Sequence, residues 1–163
     1  MSKSLKKDII FLTIYCLFCL VLLPKLISIT TVKGDSMYPT FHDNNVVVVA
    51  KHYKKIEHGN VVIARSFKNP NTQIIKRVIG IPGDKIQIKN MTVYINDKAL
   101  EEPYAKWTYE HDYDIKLNTP IILQPNQYFL MGDNRDVSYD SRIGGPANIR
   151  NIYGKVLFRI KNN

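Results

Sequence analysis

Three stretches hold side chains whose types and spacing could do covalent chemistry. "KGDSMYPTF", Lys33 to Phe41, sets Ser36 among turn formers; "TQIIKRVIGIPGD" sets Lys76 inside an apolar run; "MGDNRDVSYDSRIGG" gathers Ser138, Asp140 and Arg142 in a polar cluster. A serine hydroxyl is a weak nucleophile and needs a base, normally histidine, sometimes an unprotonated lysine. The histidines are His42, His52, His58 and His111. None stands in a recognisable triad signature, and each reads most simply as a surface residue. Metal chemistry has no H-E-x-x-H and no carboxylate-histidine cluster. Cys16-Leu17-Phe18-Cys19 fits Cys-x-x-Cys, but a lone copy in an apolar run lacks a second ligand pair. Neither a metal nor an organic cofactor is expected. Ser4-Leu5-Lys6-Lys7 matches a short Ser-x-x-Lys pattern by accident, since it precedes any fold.

Lys76 is the remaining candidate, because a lysine inside an apolar strand is unusual. Strand alternation places Ile74, Lys76 and Val78 on one face and Ile75, Arg77 and Ile79 on the other. If the Lys76 face is buried, desolvation disfavours the ammonium and lowers its pKa toward neutrality. Moving it from about 10.4 to about 8 would cost on the order of 3 kcal/mol. The other reading is an edge-strand lysine pointing outward against aggregation, and the pattern keeps both open. The Met131–Gly145 stretch is likewise either a surface loop held by Asx turns or a site in which Ser138 orients an amine and Asp140 pairs with an arginine.

The elements that must position these residues start with length: 163 residues, 45% hydrophobic, allow one real core. The segment "IIFLTIYCLFCLVLL", Ile9 to Leu23, is interrupted by Pro24-Lys25 and followed by "LISI". Fifteen helical residues reach only about 22 Å against a bilayer core of roughly 30 Å. Lys25 must snorkel, or the span must continue through Ile29. A cleaved signal is the rival, since Lys3, Lys6 and Lys7 make a basic n-region, but no Ala-x-Ala triplet follows. An uncleaved anchor is favoured: residues 1–8 a cytoplasmic tail, 9–29 a transmembrane helix, 30–163 an extracytoplasmic domain, oriented by the lysines before the span. Cys16 and Cys19 then lie within it on one face, leaving the body disulfide-free. The net charge of +9 is spread out and suits a lipid bilayer; no nucleic-acid-binding signature accompanies it.

Beyond the anchor come β-branched runs such as "NVVVVAKHY", "GNVVIARSF" and "GKVLFRI", separated by turns including Pro82-Gly83-Asp84 and Asn96-Asp97. The expected fold is mainly β: a partly closed, bent antiparallel sheet behind a single N-terminal transmembrane helix. Residues 97–119, polar and tyrosine-bearing, read as an excursion from the core, a hairpin or a mobile loop.

"GDSMYPT", "KRVIGIPGD" and "GDNRDVSYDSR", in this order behind an anchor, resemble the signature blocks of type I signal peptidases, Ser-Lys membrane proteases, and the short chain resembles the Gram-positive bacterial form. The resemblance implies Ser36 as nucleophile, Lys76 as general base and Ser138 as the residue hydrogen-bonding the lysine amine, with Asp140, Arg142 and Arg77 as a supporting ion-pair group. It implies an oxyanion hole built on the Ser36 N–H. Family members with a serine two residues earlier add its hydroxyl; here Gly34 stands there, so the second donor is open between a backbone group, with Gly34 placed in the oxyanion group beside Ser36, and water. Asn60 also departs from a usual aspartate. The implied substrate is the signal peptide of an exported preprotein, added as a β-strand between Thr30–Gly34 and Thr72–Ile75. Val32, Met37, Phe41, Ile74 and Ile75 would line shallow pockets for small residues at −1 and −3. The rival reading is a non-catalytic paralogue that binds exported peptides; a related self-cleaving repressor would want a DNA-binding domain where this chain has an anchor.

Overall fold

The computed structural model describes residues 3–111, 114 and 117–160. The first two residues of the expected tail, the last three of the expected β domain, and Asp112, Tyr113, Ile115 and Lys116 of the expected excursion lie outside the described residues.

The chain begins in helix. α1 (Lys3–Leu17) passes through a π turn (Phe18–Leu22) into α2 (Leu23–Leu26). Pro24 has no N–H, and its ring crowds the carbonyl four residues back. The wider turn, in which the Leu23 N–H reaches the Phe18 carbonyl, lets the helix run on through the proline. The continuous helix Ser4–Leu26 is 23 residues long, and its most apolar stretch has a mean hydropathy of 2.4, none of it buried against the rest of the protein. At ~1.5 Å per residue that is about 34 Å, enough to cross a membrane.

The expectation that the span continues through Ile29 is corrected. The helix starts at Lys3 rather than Ile9 and needs no extension, while Ile27–Thr31 forms β1, paired with β2 (Val46–Ala50) from Ile27 opposite Ala50 to Thr31 opposite Val46. β-Branched Ile27, Ile29, Thr30 and Thr31 favour strand over helix.

The remaining strands are β3 (Val61–Arg65), β4 (Gln73–Gly80), β5 (Lys85–Lys89), β6 (Thr92–Ile95), β7 (Lys98–Ala99), β8 (Ile121–Ile122), β9 (Gln127–Met131), β10 (Ala147–Asn148) and β11 (Ile152–Ile160). They form a seven-stranded sheet, β1-β2-β11-β3-β4-β9-β10, and a four-stranded sheet, β7-β6-β5-β8. The large sheet is antiparallel throughout and curls into a half-barrel, helped by bulges in β11 and between β4 and β9. Successive antiparallel pairings through β2, β11 and β3 leave β1 and β4 running in the same direction. The small sheet is made of tight hairpins: Asn90-Met91 and Asn96-Asp97 take positive φ at both corner positions, as two-residue hairpin turns require.

Apolar side chains settle into clusters set by strand alternation. Val32, Met37, Phe41, Val47, Ile63 and Ile75 pack inside the curl. Val62, Ala64, Val78, Leu130 and Ile152 pack on the other face, and Ile79, Ile86, Ile88, Phe129 and Met131 fill the space under the small sheet. The bent, mainly β body expected from the sequence is therefore what forms.

Within the expected excursion, Lys98–Ala99 closes a hairpin with β6, and residues 102–109 form a strap. The Lys106 N–H donates to the Asp133 carbonyl and the Arg135 N–H to the Lys106 carbonyl, both at 2.8 Å. Thr108 donates its N–H and its hydroxyl to the Asp136 carboxylate, at 2.8 and 2.9 Å. These bonds lace the segment to the loop after β9.

Candidate active site

Ser36 lies in the tight turn that follows β1, where the Tyr38 N–H closes on the Asp35 carbonyl at 3.1 Å. Two bonds from Asn134 fix the turn from the other side: its N–H to the Ser36 carbonyl, and its Nδ2 to the Asp35 carbonyl, each at 3.1 Å. Between them sits Gly132. A Cβ there would collide with the Ser36 carbonyl oxygen and with the Ser138 Oγ, so only glycine lets the loop close on Ser36.

Lys76 comes from the middle of β4 and is 2% exposed. Of the two readings left by its sequence pattern, the buried one holds. Lys76 Nζ lies 2.6 Å from Ser36 Oγ and donates to the Ile75 carbonyl at 2.9 Å. Burial lowers its pKa from 10.5 to about 8; Asp140 and Asp133 pull the other way, and the Arg142 cation adds to the fall.

The loop from Met131 to Gly145 is held by buried charge. Asp140 caps the short helix α3 (Ser141–Gly144) by accepting the Arg142 N–H. The Arg142 guanidinium grips the same carboxylate through Nε at 2.9 Å and reaches Asp114 through a second nitrogen at 3.1 Å. Asp140 also accepts the Gly132 N–H at 3.0 Å. Burial works against its ionisation, but Arg142 and these hydrogen bonds hold its pKa below the usual carboxylate value.

The expected ion-pair group is corrected in one member. The carboxylate partner of Arg77 is Asp133, gripped by two nitrogens at 2.8 and 2.7 Å, and not Asp140. Alternation explains it, because Arg77 leaves β4 on the face opposite to Lys76. Arg77 also donates to the Gly59 carbonyl at 2.9 Å and lies 3.9 Å from the Tyr104 ring centre.

Ser138 is 2% exposed, beside Ser36 across Gly132. The expected hydrogen bond from its hydroxyl to the lysine amine is not made, because Lys76 turns to Ser36 and to the Ile75 carbonyl. Ser138 Oγ makes no hydrogen bond of normal geometry, although it lies near enough to Asp140 to favour the ionised carboxylate. Gly34 is corrected as an oxyanion donor: its N–H is committed to Asp43 Oδ1 at 2.7 Å. The Ser36 N–H has no acceptor among the described residues and remains available. Asn60 accepts the Glu57 N–H through Oδ1 at 3.1 Å, a turn contact that an aspartate oxygen could make equally.

A cleft of about 220 Å³ opens between β1 and β4, with Ser36 and Lys76 at one end and Val32, Ile63, Ile74 and Ile75 among its walls. Met37 and Phe41, expected in those walls, are core residues packed with Val32, Ile63 and Ile75. Ile63 was missed, as were Gly132, Asp133 and Asn134. The last three stand in the quoted "GDNR", where an acid next to a glycine was the available sign of a partner for Arg77.

Ser36 and the buried Lys76 thus stand within hydrogen-bonding distance at one end of a strand-wide cleft, an arrangement suited to nucleophilic hydrolysis. Residues 5–161 match the signal peptidase family, peptidase S26, and the chain belongs to it. Signal peptidase IB of Staphylococcus aureus is 37% identical over 98% of this chain and 91% of its own length. Signal peptidase I S of Bacillus subtilis is 38% identical over 69% of this chain and 65% of its own. The crystal structure of a signal peptidase I from Enterococcus faecalis aligns with a TM-score of 0.54 and 27% identity, covering 66% of this chain and all of that one. The protein is a signal peptidase I enzyme, and its activity is the removal of signal peptides.

Proposed function

We propose that this peptidase works by a Ser36/Lys76 dyad on preproteins held in the same membrane. The observation that carries the reading is the 2.6 Å approach of Lys76 Nζ to Ser36 Oγ by an amine whose pKa burial has lowered to about 8. The neutral amine takes the Ser36 proton as Oγ attacks the carbonyl carbon of the small residue at −1. Negative charge developing on the substrate carbonyl oxygen meets the Ser36 N–H. Lys76 returns the proton to the leaving amine, then activates the water that hydrolyses the ester. The buried Ser138 hydroxyl serves the amine once the Ser36 proton has moved, and the Asp140–Arg142 and Arg77–Asp133 pairs keep the loop and β4 in register.

The substrate enters as a strand between Thr30–Gly34 and Thr72–Ile75. Because β1 and β4 run the same way, one strand can lie parallel to both and join the open sides of the half-barrel. Val32, Ile74 and Ile75 limit the side chains at −1 and −3 to alanine size, over a floor supported by Met37 and Phe41. The helix Ser4–Leu26 anchors the enzyme with its N-terminus in the cytoplasm and its β body outside. Sharing a bilayer with the preprotein raises their effective concentration.

The test incubates the detergent-solubilised full chain with a preprotein carrying an Ala-x-Ala site. Wild type should cut after the second alanine, and Ser36→Ala and Lys76→Ala should not. Undiminished cleavage by either variant would falsify the dyad. Protease added to intact protoplasts should digest the body beyond Leu26; protection of that body reverses the orientation.

A further inference from the structure

A second compartment of about 300 Å³ lies beside the catalytic cleft and shares Thr30, Ile63 and Gln73 with it. Its other walls are Ser28, Val49, Lys51 and Tyr153. β1 leaves the anchor helix at Ile27 and reaches the nucleophile turn after Thr31, so Ser28 is nearer the membrane and the lining Val32 nearer Ser36. The compartment therefore extends the cleft upstream, toward the anchor.

The compartment is built by the fold. β11 carries a bulge between Ile152 and Gly154, and a bulge re-aims a side chain. Tyr153 faces the trough, where its hydroxyl receives Arg65 Nε at 3.0 Å. Gly154 leaves room beneath it, since a Cβ there would strike Val49. Lys51 donates to the Pro24 carbonyl at 2.9 Å, holding its ammonium at the rim nearest the helix.

We propose that this compartment is a subsite for the side chain at −5 of the preprotein, taking a large uncharged side chain and rejecting a cationic one. The inference rests on the inserted-strand reading above. In a strand, side chains two residues apart share a face and lie ~6.7 Å apart. With −1 and −3 over the catalytic cleft, the next side chain on that face is −5, and it falls at the level of Ser28 to Thr30. Val49, Ile63 and the Tyr153 ring offer apolar contact, and the Ser28, Thr30 and Gln73 side chains offer polar ends. No carboxylate stands among the lining residues, while Lys51 and Arg65 bring positive charge.

The test uses the full chain in detergent and preproteins with alanine at −3 and −1 and Leu, Gln, Gly or Lys at −5. Leu and Gln should be cut with kcat/KM about tenfold above Lys, and Gly should fall between them. Ser28→Phe fills the compartment and should bring the Leu-to-Gly ratio close to one; Tyr153→Ala, which removes its largest wall, should lower the same ratio. Lys51→Gln should narrow the gap between Leu and Lys. Ratios within one enzyme are insensitive to a general loss of activity. If the Leu substrate is not cut by wild type, the peptidase reading itself fails. If it is cut but all −5 side chains agree within about twofold, far less than one methylene can discriminate, the subsite is overturned and the dyad stands. A preference that survives both Ser28→Phe and Tyr153→Ala also overturns it.

Discussion

Lys76 gives a prediction with two independent readouts. Its fall from 10.5 to about 8 is roughly 3 kcal/mol of differential stabilisation at about 1.4 kcal/mol per unit. At neutral pH it raises the neutral fraction about 300-fold over an exposed lysine. kcat/KM for a preprotein should therefore rise with pH along a limb centred near 8. Stability should carry the same signature. Below that value the ammonium is present in both states and the folded protein bears the full burial penalty. Between about 8 and 10.5 the unfolded chain holds a proton that the folded chain has released, so stability rises with pH; above 10.5 the penalty is gone. Lys76→Met keeps the volume and removes the charge. Allowing about 1 kcal/mol for the lost bond to Ser36, the inactive variant should be more stable than wild type by about 2 kcal/mol at pH 7. Above 10.5 the advantage should reverse to a deficit of about 1 kcal/mol, the lost bond alone. Urea unfolding in detergent, followed by Trp107 fluorescence, measures it. A flat activity profile from about pH 6.5 to 9.5, across a pKa that burial should have placed inside that window, would refute the reasoning. So would a stability difference equal at both ends of the pH range.

Three further substitutions probe the supports of the site. Gly132→Ala presses a methyl on the Ser36 carbonyl and Ser138 Oγ, and a nucleophile displaced by about 1 Å loses about 100-fold in kcat; single-turnover cleavage should show the loss with substrate binding retained. Asp140→Asn leaves the buried Arg142 with one carboxylate fewer and should cost about 3 kcal/mol in urea unfolding. The wild-type contribution of Asp140 should be complete above its ordinary 3.8 and lost as pH falls below it, a limb that the asparagine variant lacks. Arg77→Lys keeps the charge but loses the two-pronged grip on Asp133 and the reach to Gly59; about 1–2 kcal/mol of stability should go, and thermal unfolding would report it.

Local patterns carried the strands and the chemical side chains. β-Branched runs and Asn-Asp corners marked the sheets because those residues act through their own backbone preferences. Lys76 was conspicuous because a cation in an apolar strand demands an explanation, yet whether its face was inside depended on β3 and β9 packing beside it. The helix was misjudged at both ends: Lys3, Lys6 and Lys7 form helix as readily as they mark a tail, and a π turn carries the chain through Pro24. The partner of Arg77 and the strap of residues 102–109 were illegible for another reason. Their contacts join segments remote in sequence, Arg77 to Asp133 and Glu102 to Arg135, and no periodicity within either segment records the other. Met37 and Phe41 were read as walls of the cleft, but they lie in the core beneath it, a depth that follows from the curl of the sheet.

The junction of helix and sheet has a consequence for length. α2 ends at Leu26 and β1 begins at Ile27, and Lys51 clamps the join through its N–H to the Leu26 carbonyl and its amine to the Pro24 carbonyl. No slack linker separates the proposed anchor from the nucleophile. β1 spans about 17 Å at ~3.3 Å per residue, and a preprotein strand lying beside it must cover the same rise. Under the proposed anchoring the enzyme acts as a ruler: it accepts a cut site by its distance from the membrane as well as by the small side chains proposed for −1 and −3. Residues inserted between Leu26 and Ile27 should move the preferred cut farther from the apolar segment of the preprotein, so the spacing that this chain selects is written in its own first strand.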